Sequence, residues 1–348
     1  MIDQTELKPY YHHAGATLSE GITYVEETDT LYWIDIYKAE IHRVTDVERP
    51  ESSHCYMSIS RETYDDANAN ISYPEIEGYQ ESVGTMFMTK ETVEGDGNVL
   101  LFASKWGIGR CDLSTKKWEY VKLYSDCKEL KEGERFKRLR SNDGNVTPDG
   151  KYLYVGLMND FKYDVSEDGC IVKISLVEDS IEIVWNAILI PNSINWYKND
   201  VYITDSLKHR IWRCEYDYEN DTIGEKREIL IHIKEQNNQQ YESPEPDGSV
   251  IDSVHGILYQ CVWSTSKVQV YDLTKDGLLM DEIVLPNATS RISCCSIAKN
   301  DLFVTCGNLE ISDEEYKATD RSGGCIYRIR NILTETPRNS RNILTSFM

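Results

Sequence analysis

Apolar and polar positions recur along this chain with a period of about 50 residues. Six segments rich in β-branched and aromatic residues open at Leu31 (LYW), Leu101 (LFA), Leu153 (LYV), Val201 (VYI), Leu258 (LYQ) and Leu302 (LFV), with spacings of 70, 52, 48, 57 and 44 residues. Each is followed by a second run, from AEIHRV to GGCIYRIR, in which apolar and polar residues alternate, as in a strand with one buried face. Clusters such as TPDGK, YKND and AKND stand just ahead of the markers, and their Asp, Asn and Gly residues suit tight hairpin turns. The 3.6-residue periodicity of a helical array is missing. The pattern therefore predicts an all-β fold, a six-bladed β-propeller with four-stranded antiparallel blades around a central channel, in one domain over residues 1–348.

Two stretches break the pattern. Residues 46–80 combine a strand-like CYMSIS with a long acidic loop bearing Tyr64, Tyr73 and Tyr79, and explain the long first spacing. Loops of that length are commonly functional, so this one is expected as a surface excursion or a flap. Residues 331–348 are expected as a final strand with a tail.

The repeat aligns oxygen-bearing side chains. Glu20, Asn142 and Asp247 each lie 11 residues before their markers, and Asn192 lies 9 before its own. In a propeller, equivalent positions on the inner strands form a ring at one mouth of the channel. Counting 11 back from the other two markers gives Lys90 and Arg291. Two carboxylates and two amides form an all-oxygen donor set, suited to Ca²⁺, Mg²⁺ or Mn²⁺, with catalytic zinc as a further choice. Asp149 stands only four residues ahead of its marker and reads as a turn residue; Asp35 and Asp205, four after theirs, read as supporting residues.

Composition narrows the function classes. With 37 basic and 59 acidic residues the net charge is −22, which opposes binding to nucleic acid or anionic membranes. No run approaches the 18 apolar residues of a membrane span, and the N-terminal MIDQTELKPYYHHAG lacks a basic start with an apolar core. The expectation is a soluble cytoplasmic protein, with the nucleus as the alternative, acting on a small molecule as a monomer or weak homo-oligomer. The ten cysteines mostly fall within strand runs, without CxxC or Cys/His zinc spacing, and read as core residues. Sequons at Asn145, Asn220 and Asn287 matter only on a secretory route.

The segments SEGITYVEETDTLYWIDIYKAEIHR, LRSNDGNVTPDGKYLYVGLM, IPNSINWYKNDVYITDS and PDGSVIDSVHGILYQCVW resemble, in order and spacing, the senescence marker protein-30/gluconolactonase/regucalcin family over nearly the whole chain. The resemblance implies a six-bladed propeller holding one divalent cation (Ca, Zn, Mn or Mg) in its channel, with Glu20, Asn192 and Asp247 as ligands. It moves Asn142 to the substrate side, with Arg140 and Asp143. The acidic substrate residue expected after the third-blade strand has Asp160 as its nearest candidate, with Phe161 in the adjoining slot. The glycine usual after the second-motif asparagine is Ser193 here. The implied activity is metal-dependent hydrolysis of sugar lactones, with Asp247 as general base toward water. The alternatives are an organophosphate or aryl-ester hydrolase of the same fold, and a non-catalytic calcium-binding regulatory protein.

Overall fold

The computed structural model describes residues 1–286, 291–308, 324–333 and 342–345; the Asn287 sequon and much of the expected tail lie outside them. The strands form six sheets, the blades of a β-propeller, at residues 19–58, 83–123, 139–188, 191–232, 245–284 and 292–329. The first five are four-stranded runs in chain order, and the sixth has three strands among the described residues. Ile2–Asp3 adds a parallel strand against Leu278–Val284 of the fifth blade. No helix among the described residues is long and apolar enough to cross a membrane.

The chain packs as two compact units, Met1–Glu26 with Asn192–Arg341, and Glu27–Pro191 with Asn342–Met348. In the second unit, Leu101, Ala103, Leu153, Val155, Leu157 and Val172 interdigitate between the second and third blades. In the first, Val250, Tyr259, Cys261, Cys295, Val304 and Tyr327 do so between the fifth and sixth. Alternation along each strand sends such residues to the interior, where each large aliphatic side chain contributes about 1.5–3 kcal/mol. All ten cysteines are free thiols, and all but Cys55 are buried. They fill core space, as their placement in strand runs suggests.

The irregular stretch 46–80 divides. His54–Ser58 is the outermost strand of the first blade, so the excursion proper begins after it. The excursion is packed against the second blade. Trp118 Nε1 donates to Ser60 O at 2.9 Å, Asp65 N donates to Trp118 O at 2.8 Å, and Tyr64, only 3% exposed, sits edge-on to Trp118. Tyr64 and Tyr73 thus face the Trp118–Tyr120 strand, whereas Tyr79 lines a cavity. At the other end of the chain, Leu344 docks into the second unit, its N–H donating to Met88 O at 2.9 Å.

Candidate functional site

The candidate residues sit where the inner strands bulge. Ladder pairing shifts between Ser141 and Gly144 and between Pro246 and Ser249, so Asn142 and Asp143, and likewise Asp247 and Gly248, stand opposite a single partner residue in two β-bulges. A bulge bends its strand and re-aims side chains, and bulges are common beside active sites. Strand partners define true equivalence: Val146 pairs with Leu153 and Ile251 with Leu258, and four residues ahead of Val146 and Ile251 stand Asn142 and Asp247.

The same count corrects the expected ring. In the sixth blade Ile297 pairs with Leu302, a connection two residues shorter, so the equivalent position is Ser293, which lies within that strand's own bulge, and not Arg291. In the second blade Phe87 pairs with Leu101 across a connection that contains the helix Lys90–Glu94, so Val83 takes the position. Lys90 is an exposed residue at that helix start. Neither cation belongs to the set.

In the first unit, the Asn192 amide, 4% exposed, donates to Asp247 Oδ1, and to Ser206 Oγ at 3.3 Å. The Asp247 backbone carbonyl accepts from Gln260 Nε2 at 2.8 Å and from Ser193 Oγ at 3.2 Å. Ser193, in place of the usual glycine, therefore helps to fasten the bulge that carries Asp247. Glu20, 7% exposed, stands at the start of the strand Ser19–Val25, and its Oε2 accepts from Gly21 N at 2.7 Å. Ser293 Oγ donates to Ser19 O at 2.6 Å, which ties the Glu20 strand to the inner strand of the sixth blade. Glu20, Asn192 and Asp247 offer only oxygen donors for a cation, one amide and two carboxylates, mostly withdrawn from solvent. That chemistry fits a hard divalent ion.

In the second unit, Arg140 is 6% exposed and lies over the Phe161 ring at 4.4 Å. Phe161 in turn stacks on Tyr37, with ring centroids 4.4 Å apart. Arg140 Nη1 donates to Ser141 O at 2.9 Å and to Asn142 Oδ1 at 3.4 Å, while its Nε has no hydrogen-bond partner among the described residues. Burial pulls its pKa down to about 10, so the guanidinium stays charged at neutral pH. Asn142 Nδ2 donates to Pro191 O at 3.2 Å, and Asp143 Oδ1 accepts from Gly144 N at 2.7 Å.

Asp160 is committed to a buried ion pair with Lys105 at 3.0 Å, and Lys105 also donates to the Lys137 and Leu139 carbonyls. Burial lowers the Lys105 pKa to about 8. Asp160, Phe161 and Lys162 line a cavity of about 390 Å³ together with Gly78, Tyr79 and Gln80 from the end of the excursion. Tyr79 Oη is 2.7 Å from Tyr163 Oη, and Lys162 Nζ lies 4.1 Å from the Tyr79 ring centre. Lys105 escaped the sequence reading, which named Tyr79 only together with Tyr64 and Tyr73. The one available signal was a lysine ending the otherwise apolar run LLFAS.

The residues read as supporting or turn-forming make local contacts. Asp35 Oδ1 accepts from Lys38 N at 3.2 Å, Asp205 pairs with Lys208 at 3.8 Å, and Asp149 Oδ1 accepts from Thr147 Oγ1 and Lys151 N.

The sequence profile of the SMP-30/gluconolactonase/LRE-like region matches residues 18–308. The chain belongs to that family. An uncharacterized protein of Saccharomyces cerevisiae is 51% identical over 338 residues, covering 94% of this chain and 92% of that protein. A pentonolactonase of Haloferax volcanii is 21% identical over 332 residues, covering 92% and 93%. Among solved structures, a calcium-binding protein of Agrobacterium tumefaciens, regucalcin, superposes with a TM-score of 0.72 at 19% identity, covering 100% of this chain and 99% of that one. That likeness agrees with the propeller fold.

Proposed function

We propose that this SMP-30/gluconolactonase/LRE-like protein is a divalent-metal-dependent hydrolase of sugar lactones, working in the cytoplasm. The observation that carries the reading is the part-buried contact of Asn192 with Asp247, on a bulge equivalent in register to that of Asn142. Family membership and a relative named as a pentonolactonase support it. Glu20, Asn192 and Asp247 hold the cation, which, when bound, supplies Lewis-acid polarisation of a carbonyl and a more acidic water.

The chain's own residues do the rest. Asp247 accepts the proton of the attacking water, a role open to a half-buried carboxylate fastened through its backbone. Arg140 and Asn142 orient the lactone, and the unfilled Arg140 Nε–H offers a donor for its oxygens. Loss of a donor of this kind costs about 2.7–4 kcal/mol, so Arg140→Ala should lower kcat/KM by about 10²–10³. Asp143 and Asp160 belong to the substrate side, Asp160 as the residue that Lys105 holds in place.

The test is a panel of aldonolactones with metal-loaded protein, beside Asp247→Ala. Turnover well above that variant is expected, and no lactone hydrolysed above it would overturn the reading. The aromatic lining of the cavity by Tyr79 and Phe161 favours aryl esters as the second reading, so an aryl ester outcompeting every lactone would select it. Intact metal binding without turnover of any ester class would instead indicate a calcium-binding regulator.

A further inference from the structure

The outer strands of the first blade carry a second constellation, apart from the lactone chemistry. Glu40–Val44 and His54–Ser58 pair antiparallel, with His42 opposite Tyr56 and Val44 opposite His54. His42 and His54 are therefore diagonal neighbours on one sheet face, close enough for long side chains to meet. His42 Nδ1 lies 3.0 Å from His54 Nε2, and the two rings are nearly parallel, at 17°. Trp33, opposite His42 on the next strand, stacks on both imidazoles at 8° and 20°.

On its other side, His42 Nε2 is 3.4 Å from Glu40 Oε2. A carboxylate there favours the tautomer protonated at Nε2, which turns the Nδ1 lone pair toward His54. At 3.4 Å the pair is an ionic contact and not a hydrogen bond, with the carboxylate on the side of the ring from which carboxylates orient imidazole ligands of zinc. Two nitrogens at zinc-ligand distance in a tetrahedral shell stand about 3.3 Å apart, near the 3.0 Å found here. His42 is 1% exposed and the stacked aromatics lock the rings, so the ligands are preorganised.

We propose that His42 and His54 bind a borderline divalent cation, zinc or one of similar chemistry, oriented by Glu40 and serving to fasten the two outer strands of the first blade. Imidazole selects Zn²⁺, Co²⁺ and Ni²⁺ and has little appetite for Ca²⁺, the reverse of the oxygen set at Glu20, Asn192 and Asp247. The protein thus carries two cation sites of opposite preference.

The experiment uses untagged full-length protein stripped with chelator and titrated with Zn²⁺, and with Co²⁺ as a spectroscopic probe, in the presence of excess Ca²⁺. The wild type should take up one more Zn²⁺ than His54→Ala. Its Co²⁺ absorption bands should survive Asp247→Ala and vanish in His54→Ala. Zinc should raise the Tm of the wild type but not of His54→Ala, a change at a half-buried position whose fold is checked by circular dichroism. Glu40→Gln should weaken Zn²⁺ about 10–100-fold. Replacing the five other histidines one at a time identifies any further ligand. Equal zinc uptake and identical Co²⁺ spectra in the wild type and a folded His54→Ala would overturn the proposal and leave a plain histidine–histidine hydrogen bond.

Discussion

Replacing Glu81 by glutamine should flatten the dependence of stability on pH. Glu81 closes the excursion after the first blade and is 8% exposed. Its carboxyl accepts hydrogen bonds from Tyr120 Oη at 2.8 and 3.0 Å and from Tyr73 Oη at 3.0 Å. Burial outweighs these donors and raises its pKa from 4.5 to about 7. Between those values the folded protein keeps a proton that the unfolded chain has released. The stabilising contribution is therefore complete below pH 4.5 and is lost as pH rises through 7. The interval corresponds to about 3 kcal/mol, a large share of a domain's net stability. Glutamine keeps the shape and an acceptor for the tyrosines but never ionises. Urea unfolding followed by circular dichroism at pH 5, 6, 7 and 8 measures the difference. Wild type should lose stability relative to Glu81→Gln across this range, and parallel curves would refute the assignment of a buried, proton-holding carboxyl.

Other outcomes follow from the packing. Lys105→Met removes the cation from a buried pair and strands Asp160 with two carbonyls, and should cost about 3–5 kcal/mol in urea unfolding at pH 7. Leu344, 1% exposed in the core of the second unit, should cost about 2–5 kcal/mol when cut to alanine, read as a lower Tm.

The amino-acid sequence alone determined the blade repeat, because strand alternation and hairpin turns are local and written in neighbouring residues. The equal spacing of Glu20, Asn142 and Asp247 ahead of their markers was legible for the same reason, since inner strand and hairpin travel together in each repeat. Where a connection changes length, counting fails: the hairpin before Leu302 is two residues short and a helix interrupts the one before Leu101, so Arg291 and Lys90 dropped out in favour of Ser293 and Val83. The excursion read as a loop of unknown purpose, and its tyrosines as one group. Only packing separated Tyr64 and Tyr73, which sit against Trp118, from Tyr79, which lines the cavity. Contacts between distant positions were likewise beyond sequence. Asn192 reaches Asp247, Lys105 neutralises Asp160, and Arg140 rests on Phe161 across long separations in the chain, and no local preference encodes the packing of strands and loops that brings them together.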